Sequence, residues 1–326
     1  MKIVIIGGGT GLSVLLQGLK KITKNLSAVV NMVDDGGSSG ILRSDLGMLP
    51  PGDLRSCILS MSNTTELLEE VLNYRFDKGS LSGQSLGNLI MAALSDLTGG
   101  IDNALGACAD LFNITGKVYA VTLDNIDLVA ELKDGTKVLG ESKIPLAVIE
   151  NGSPIHKVNL YPERPRAYRK VIEVIEEADL ILVGPGSLYT SILPALLVSG
   201  VKEAILRSSG KCVYVANVMT QPGETDHMSV SDHVRAIYDH IEDAIFDGIL
   251  VSSTPLSPQD KKAYEDQGAS PLFCHREDIE YLDKMGVKII EDQFTQIVQG
   301  YIRHDADKVS RALIDYVMGI TFYVEA

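Results

Sequence analysis

The stretch KIVIIGGGTGLSVLLQGL, residues 2–19, decides the fold class of this 326-residue chain. Residues 2–6 are rich in β-branched side chains and predict a buried strand, and the glycines after them predict a tight turn. The next segment carries leucines at helical i, i+3, i+4 and i+7 spacing, namely Leu12, Leu15, Leu16 and Leu19. A strand, a glycine turn and an amphipathic helix are therefore predicted in this order. Because glycines interrupt the apolar start and no small-residue cleavage site follows, a signal peptide is not predicted.

Short apolar runs recur along the chain, and most are continuous rather than alternating in polarity. The predicted strands are residues 2–6, 28–33, 118–122, 180–183, 212–216, 248–251 and 287–290. Helical apolar spacing separates them, for example at residues 67–72 and 309–316. Continuous apolar strands that alternate with helices are typical of a parallel sheet buried on both faces. We therefore predict an α/β fold with a Rossmann-like, doubly wound and mostly parallel sheet.

The composition excludes several classes of protein. Hydrophobic residues make up 45% and charged residues 22% of the chain, which is an ordinary globular balance, so disorder is not predicted. A net charge of -14 disfavours nucleic acid and anionic membrane surfaces as partners. No uninterrupted apolar run is long enough for membrane insertion. The 4 cysteines are far apart, without a C-x-x-C pair, which favours core positions in a reducing cytoplasm over a disulfide framework or a zinc site.

Two regions break the alternation of strand and helix. Residues 118–149 are predicted to be extended pieces around the turn at residues 133–136 (KDGT), which is an x-D-G-x hairpin signal. Residues 150–166 contain three prolines and are predicted to cross the surface. We predict a single α/β domain over residues 1–326, with an inserted hairpin at about 118–149. The alternative to a single domain is an organisation in two lobes.

The strands of a parallel sheet end at the same edge, so the loops that follow them converge and commonly form a ligand site. The first such loop is GGGTGLS, residues 7–13, where a helix start and glycines favour contact with phosphate. Its candidate contacts are Gly8, Gly9, Thr10, Gly11 and Leu12. The loop departs from G-x-G-x-x-G because Leu12 stands at the third glycine, and it is not a Walker A loop. The alternative is a tight turn without a ligand.

The second loop is DDGGSSG, residues 34–40. Asp34 follows the second predicted strand, where dinucleotide folds place an acid on a ribose hydroxyl. Asp34 and Asp35 are alternatively a pair of Mg²⁺ ligands. Gly37 and Ser38 are further candidate nucleotide contacts. A polar turn with a helix cap is the structural alternative.

The third and fourth loops are PPGDLR, residues 50–55, and SLGNL, residues 85–89. Asp53 is, together with Asp34, a candidate catalytic carboxylate, or else it caps a helix. Arg55 is a candidate phosphate clamp, or else it pairs with a surface carboxylate. Asn88 offers a donor and an acceptor to a base or sugar, and a helix start is the alternative there.

The fifth and sixth loops follow predicted strands later in the chain. GPGSLYTS, residues 184–191, resembles a second anion cradle whose hydroxyls donate hydrogen bonds, with Gly184, Gly186, Ser187 and Thr190 as candidate contacts. NVMTQPGET, residues 217–225, is an unusually polar strand exit, with Asn217, Thr220 and Gln221 as candidate contacts to a base, ribose or sugar. Two anion cradles on one sheet edge suit a diphosphate bridge.

The histidines do not have the spacing of a zinc site. His304 precedes the last predicted helix, which Asp305 is predicted to cap, and His304 is a candidate at the edge of the ligand. No G-x-S-x-G elbow or catalytic cysteine context is found, so an acyl-transfer enzyme is not predicted.

Six segments together resemble one family: GGGTGLSVLLQGLK, DDGGSSGILR, PPGDLR, GNLI, GPGSLYTSILPALLVSG and NVMTQPGET. In this order they are similar to the gluconeogenesis factor family typified by YvcK, within the CofD-like superfamily, from residue 1 to roughly residue 310. The resemblance implies a Rossmann-like fold that binds UDP-sugars such as UDP-N-acetylglucosamine. It also implies a cytoplasmic role in growth and cell shape (morphogenesis) on gluconeogenic carbon sources, linked to regulation of peptidoglycan synthesis.

The CofD branch of the superfamily implies an alternative function, an Mg²⁺-dependent transferase of the 2-phospho-L-lactate transferase type with a nucleoside-diphosphate donor. Its first loop typically continues with Thr and Lys, where this chain has Leu12 and Ser13. Gln84 stands where relatives commonly have His, and an amide cannot titrate. No cofactor or metal is firmly predicted, although NAD shares a diphosphate and Mg²⁺ stays an alternative. The predicted partner is a small-molecule nucleotide sugar and not nucleic acid; a homodimer and cell-wall synthesis proteins are open alternatives.

Overall fold

The computed structural model describes residues 1–298 and 300–320, and its centre is a sheet of seven strands. These are β1 (Ile3–Gly7), β2 (Leu26–Val30), β3 (Lys117–Ala120), β7 (Leu180–Val183), β8 (Lys211–Val215), β9 (Gly248–Ser252) and β10 (Lys288–Asp292). They pair in parallel in the order β10-β9-β8-β7-β1-β2-β3. All seven runs predicted as strands lie in this sheet, and the predicted fold class is confirmed.

The strand order reverses between β1 and β7, which pair with each other in the middle of the sheet. From β1 the chain moves to β2 and β3 on one side, and the later strands extend the sheet on the other side. Loops that follow two such strands leave in opposite directions, so a crevice opens between them. Here the two loops begin at Gly7 and Gly184.

Helices connect the strands and cover both faces of the sheet. They are α1 (Gly9–Leu19), α2 (Gly37–Leu46), α3 (Gly52–Met61), α4 (Glu66–Asn73), α5 (Leu86–Thr98), α6 (Ile101–Leu111), α7 (Ile144–Asn151), α8 (Arg169–Glu176), α9 (Leu193–Leu196), α10 (Val201–Arg207), α11 (Val230–Ile241), α12 (Pro258–Glu265), α13 (Arg276–Lys284) and α14 (Ala306–Met318). A π-helical turn at Leu188–Ile192 leads into α9.

The helices predicted from apolar spacing are confirmed as α1, α4 and α14. α1 packs against α3 and α14, and its four periodic leucines are fully buried. The predicted cap of the last helix is also confirmed, because the Asp305 side chain accepts a hydrogen bond from the Lys308 amide. A hairpin of β11 (Thr295–Val298) and β12 (Tyr301–His304) precedes α14, and β12 contacts α1.

A second, antiparallel sheet consists of β4 (Asp127–Leu132), β5 (Lys137–Leu139) and β6 (Ile155–Tyr161) in the order β5-β4-β6. The β4–β5 pair confirms the predicted hairpin. Residues 144–149, predicted as extended, instead belong to α7, which has Pro145 in its first turn, where proline is favoured.

Residues 155–161, predicted to cross the surface, instead form β6. The prolines that suggested a crossing, Pro154 and Pro162, flank the strand and do not interrupt it. Along β6 the buried residues are Ile155, Val158 and Leu160, as expected for a strand packed on one face only. The inserted region is therefore longer than the predicted hairpin, and the single-domain organisation stays a prediction.

Three polar contacts attach the antiparallel sheet to the rest of the molecule. Arg43 in α2 forms an ion pair of 2.7 Å with Asp127 in β4. The amide of Ser142 donates to Oδ1 of Asp35 at 2.9 Å, and the amide of Val158 donates to Nε2 of His240 at 3.0 Å. The first two contacts hold this sheet beside the loop that follows β2.

Within the described part of the chain, no helix has the length and apolarity that a membrane crossing requires. All four cysteines are free thiols; three are buried and Cys274 is half-buried.

Candidate functional site

The glycine loop after β1 brings its backbone unusually close to neighbouring segments. A Cβ atom on Gly8 would lie 2.6 Å from Oδ2 of Asp53, and one on Gly11 would lie 3.3 Å from the carbonyl oxygen of Pro185. Gly9 has a φ of 73°, in the left-handed region that favours glycine. These glycines let the start of α1, with its unpaired amides, lie directly against the loop that follows β7.

The loop after β7 is held by the loop after β8. The side chain of Asn217 accepts a hydrogen bond from the Gly186 amide at 3.1 Å and donates one to the Gly186 carbonyl at 2.8 Å. A Cβ on Gly186 would lie 3.0 Å from the carbonyl oxygen of Gly8. The strand exits of β1, β7 and β8 are thus packed into one backbone cluster at the switch point.

This cluster lines a cavity of about 330 Å³, which we call the switch-point cavity. Its wall includes the predicted residues Gly8, Gly9, Thr10, Gly11, Gly186, Ser187, Asn217, Thr220 and Gln221. The structure therefore brings together three segments that are far apart in the sequence. Convergence at the carboxyl edge of the sheet, which the loop analysis required, is observed for these three loops.

Other predicted contacts do not line the switch-point cavity; they are Leu12, Asp34, Gly37, Ser38, Arg55, Asn88, Gly184 and Thr190. Leu12 is fully buried in the core. Arg55 donates from Nη1 to the carbonyl of Leu72 and to Asn73, at 3.1 and 2.8 Å. Its guanidinium therefore fastens α3 to α4 and does not form the predicted clamp in this cavity.

Ser38 and Asn88 belong to a separate buried network. Ser38 donates to Oε1 of Gln84 at 2.8 Å and accepts from Nδ2 of Asn88 at 3.1 Å. This network lies beside the exit of β2, while the cavity lies between the exits of β1, β7 and β8. Ser38 and Asn88 therefore lie outside the wall of the switch-point cavity, and their predicted contact with a nucleotide stays a prediction.

The hairpin β11–β12 and the end of α12 add residues that the sequence did not reveal. Tyr264, Tyr301 and Arg303 line the switch-point cavity. The Tyr264 hydroxyl accepts a hydrogen bond of 2.8 Å from the Ile302 amide, and the Arg303 guanidinium lies 5.2 Å from the centre of the Tyr301 ring. Among the described residues that line the switch-point cavity, Arg303 is the side chain with a permanent positive charge. No spacing in the sequence predicts that this hairpin folds back onto α1.

His304, a candidate from the sequence, lines the same cavity. Its side chain is only 6% exposed, and Nε2 has no hydrogen-bond partner in the protein. Burial lowers the pKa of His304 to about 4, against a hydrogen bond with the Ala216 backbone that raises it. The ring is therefore neutral near pH 7, and its Nε2 is buried without a partner in the protein.

Asp53 lies immediately behind the first glycine loop. Its Oδ2 accepts a hydrogen bond from the Gly9 amide at 2.8 Å. Burial raises the pKa of Asp53 to about 6, the Gly9 hydrogen bond opposes this, and the nearby Asp34 charge adds to it. Pro51, not Asp53, is the cap of α3, so Asp53 lies in the first turn. A half-buried carboxyl with a raised pKa next to a cavity is a common feature of functional sites.

Asp34 and Asp35, the alternative Mg²⁺ ligands, each accept a backbone amide. Oδ1 of Asp34 accepts from Gly36 at 3.0 Å, and Oδ1 of Asp35 accepts from Ser142 at 2.9 Å. Within residues 1–298 and 300–320, no three Asp, Glu, His or Cys side chains converge as a metal site would require. The residues present therefore do not fit a metal held by the protein alone.

Glu224 is a buried carboxylate that the sequence analysis did not single out, although its segment was quoted. Its Oε1 accepts hydrogen bonds from Nε2 of Gln221 at 2.6 Å and from the Thr190 hydroxyl at 3.2 Å. The Ser187 hydroxyl in turn donates to Oε1 of Gln221 at 2.7 Å. Burial raises the pKa of Glu224 to about 7, against hydrogen bonds that lower it, the largest of which comes from the Thr190 hydroxyl.

A family model described as "2-phospho-L-lactate transferase CofD" matches residues 3–295. The chain is 45% identical to the gluconeogenesis factor of Bacillus subtilis over 315 residues, which covers 96% of this chain and 97% of that protein. It is 44% identical to the gluconeogenesis factor of Halalkalibacterium halodurans over 314 residues, covering 96% and 95% of the two chains.

A solved crystal structure of a UPF0052 family protein from Bacillus halodurans is also similar. It superimposes with a TM-score of 0.91 and 43% sequence identity, and the match covers 96% of this chain and 99% of that chain. These similarities confirm the resemblance that the six sequence segments predicted.

Proposed function

Because the chain belongs to the gluconeogenesis factor family and carries a CofD domain, we propose that it binds a nucleotide sugar, with UDP-N-acetylglucosamine as the leading ligand. One observation carries this proposal: residues 8–11, 186–187 and 217–221 meet around the switch-point cavity. Ligands of doubly wound folds bind where the strand order reverses.

The diphosphate is proposed to lie at Thr10 and Gly11, where amides in the first turn of α1 have no partner inside the helix, whereas the Gly9 amide is already bonded to Asp53. Arg303, which also lines the cavity, would neutralise part of the phosphate charge. A volume of about 330 Å³ is near the lower end for ligand cavities, so the cavity would hold the centre of a nucleotide sugar and leave one end outside. NAD, which shares the diphosphate, is a competing occupant.

The wider roles proposed here come from the family resemblance. They are a cytoplasmic location, support of growth and cell shape on gluconeogenic carbon sources, and regulation of peptidoglycan synthesis through contact with cell-wall synthesis proteins. A homodimer is included in this proposal, and nucleic acid is not a proposed partner because the chain is strongly acidic.

Isothermal titration calorimetry with UDP-N-acetylglucosamine, UDP-glucose, GDP and NAD tests the ligand. We expect the UDP-sugars to bind most tightly and to be recovered unchanged. Gly11→Ala, whose Cβ would lie 3.3 Å from Pro185, should weaken binding, while Gly106→Ala in α6, which has open space around its Cβ, should not. If no nucleotide binds the wild-type protein, the proposal is wrong.

A transferase of the CofD type is the second candidate function. The family match over residues 3–295 and the raised pKa of Asp53 beside the cavity favour it. Mass spectrometry would follow the loss of a nucleoside-diphosphate donor in the presence of Mg²⁺ and candidate acceptors. Loss of donor that Asp53→Asn abolishes would support a transferase, and an unchanged donor with every acceptor would contradict it.

A further inference from the structure

A continuous chain of hydrogen bonds connects a buried carboxylate to the switch-point cavity. Glu224 accepts from Gln221, and Gln221 accepts from Ser187. Gln221 and Ser187 line the cavity, whereas Glu224 does not and is only 5% exposed. The chemistry of the cavity wall therefore depends on a charge that the ligand does not touch.

The ionised Glu224 carboxylate can only accept hydrogen bonds. It therefore requires the NH₂ group of Gln221 on its side, which leaves the Gln221 oxygen facing Ser187. That oxygen takes the only hydrogen of the Ser187 hydroxyl, at 2.7 Å. Ser187 consequently presents lone pairs, and no hydrogen, to the cavity.

Thr190 has the same constraint, since its hydroxyl donates to Glu224 at 3.2 Å. The sequence analysis predicted that Ser187 and Thr190 donate hydrogen bonds to phosphate. In the structure both hydrogens are already used inside the protein. Because phosphate oxygens are acceptors, placing them against the lone pairs of Ser187 is unfavourable.

We propose that the Ser187 side of the cavity is a hydroxyl-recognition subsite, which accepts a hydrogen bond from a ribose or hexose hydroxyl, and that Glu224 is the positioning residue that sets this polarity. This inference rests on the proposed function. It separates the two ends of the ligand: the diphosphate faces the amides of Thr10 and Gly11, and a sugar hydroxyl faces Ser187.

Protonation of Glu224 reverses the polarity of the chain. A protonated carboxyl donates to the Gln221 oxygen, which turns the amide and frees the Ser187 hydroxyl to donate into the cavity. Two titratable groups interact electrostatically with Glu224. They are Tyr189 in the π-helical turn at Leu188–Ile192 and Glu141 at the edge of the antiparallel sheet. Glu141 is a matched control, since burial also raises its pKa to about 7 and it interacts with Thr190, but it has no place in the Gln221–Ser187 chain.

Calorimetry with three probes tests the subsite: UDP-N-acetylglucosamine, its 2′,3′-dideoxyribose analogue, and UDP methyl ester, which lacks the hexose. At about pH 8 the wild type should lose about tenfold in affinity with one analogue, since one unmatched polar group has about this effect. That analogue identifies whether ribose or hexose meets Ser187. In Glu224→Gln the loss should shrink to about twofold, because an amide imposes no fixed polarity, and Glu141→Gln should behave as the wild type.

Lowering the pH provides a readout that a purely structural role would not change. In the wild type, the difference in affinity between UDP-N-acetylglucosamine and the analogue should become smaller as the pH drops below about 7. In Glu224→Gln this difference should stay constant. The inference is overturned if the wild type and Glu224→Gln lose the same affinity with the analogue. It is also overturned if the wild type loses no affinity with either analogue. Both results leave nucleotide binding intact. Absence of all binding by the wild type defeats the proposed function as well. If Glu224→Gln does not fold by circular dichroism, Ser187→Ala carries the test and should lose the same discrimination.

Discussion

The amide of Gly9 donates a hydrogen bond of 2.8 Å to Oδ2 of Asp53, and this bond joins the start of α1 to the first turn of α3. The two residues are 44 positions apart in the chain. Asp53 is half-buried, so the loop that would bind a diphosphate rests on a carboxyl group that is only partly exposed to water. The contact couples the shape of the glycine loop to the charge of one side chain.

Asp53→Asn is expected to stabilise the protein at alkaline pH. The pKa of Asp53 rises from 3.8 to about 6 on folding, so the folded state holds this proton more tightly than the unfolded state. Stability from this group is therefore present at low pH and is lost as the pH rises from about 4 to about 6. Asparagine keeps an acceptor for Gly9 without a charge.

Urea unfolding at about pH 8 should show a gain of about 1–3 kcal/mol for Asp53→Asn, and at about pH 4 the two proteins should be nearly equal. A loss of stability at both pH values would contradict the raised pKa. The gain would agree with the general observation that functional sites are not optimised for stability.

Gly8→Ala is expected to destabilise the first loop by steric conflict alone. Gly8 has a φ of -169°, an extended backbone that any residue adopts, but its Cβ would lie 2.6 Å from Oδ2 of Asp53. We expect a loss of about 1–3 kcal/mol in the free energy of unfolding. In the double variant Gly8→Ala/Asp53→Ala the conflict disappears. Its loss in the free energy of unfolding should therefore be smaller than the sum of the losses of the two single variants. Strict additivity would show that Asp53 is not the obstacle.

Arg303→Ala and Arg55→Ala are expected to separate binding from stability. Arg303 lines the switch-point cavity, so its removal should weaken nucleotide binding about tenfold to a hundredfold with little change in stability. Arg55 is bonded to Leu72 and Asn73, so its removal should lower stability without a direct effect on the cavity. Calorimetry and thermal unfolding of both variants check this, and the reverse pattern would exclude Arg303 as the phosphate contact.

His240 is expected to make the attachment of β6 sensitive to acid. Its Nδ1 contacts the Ala236 carbonyl at 2.6 Å, and its Nε2 accepts from the Val158 amide at 3.0 Å, which only the neutral ring can do. Burial lowers the pKa of His240, so the stability it contributes is complete above about pH 6.5 and is lost as the pH falls below that value.

Hydrogen exchange of the Val158 amide measures this effect. Protection should fall between about pH 7 and pH 5 in the wild type, and it should not change with pH in His240→Gln, which cannot titrate in this range. Lys157, His156 and Asp239 lie near the ring and are present in both proteins. Equal pH dependence in the two proteins would assign the loss to those neighbours.

Much of the architecture followed from local patterns. The continuous apolar runs predicted every strand of the parallel sheet, because a strand buried on both faces needs apolar side chains at each position. The antiparallel region was harder to predict. β6 alternates apolar and polar residues between flanking prolines, and its pairing with β4 depends on contacts that short-range patterns do not contain.

The candidate site was predicted in part. Gly8, Gly9, Gly186 and Asn217 were found because glycine loops and polar strand exits have a recognisable composition. Arg303 and Tyr264 were missed, since a hairpin that folds back onto the sheet edge leaves no periodic signal.

The sequence by itself determined the sheet, its buried strands and the glycine loops, because strand and turn preferences depend on neighbouring residues. Only the tertiary structure decided which loops share a cavity and which polar atoms are free to meet a ligand. Ser187 shows the reason: its hydroxyl could donate or accept, and the choice is made by Glu224 through Gln221, 37 and 34 positions along the chain. Hydrogen-bond polarity belongs to the assembled network and to no single segment.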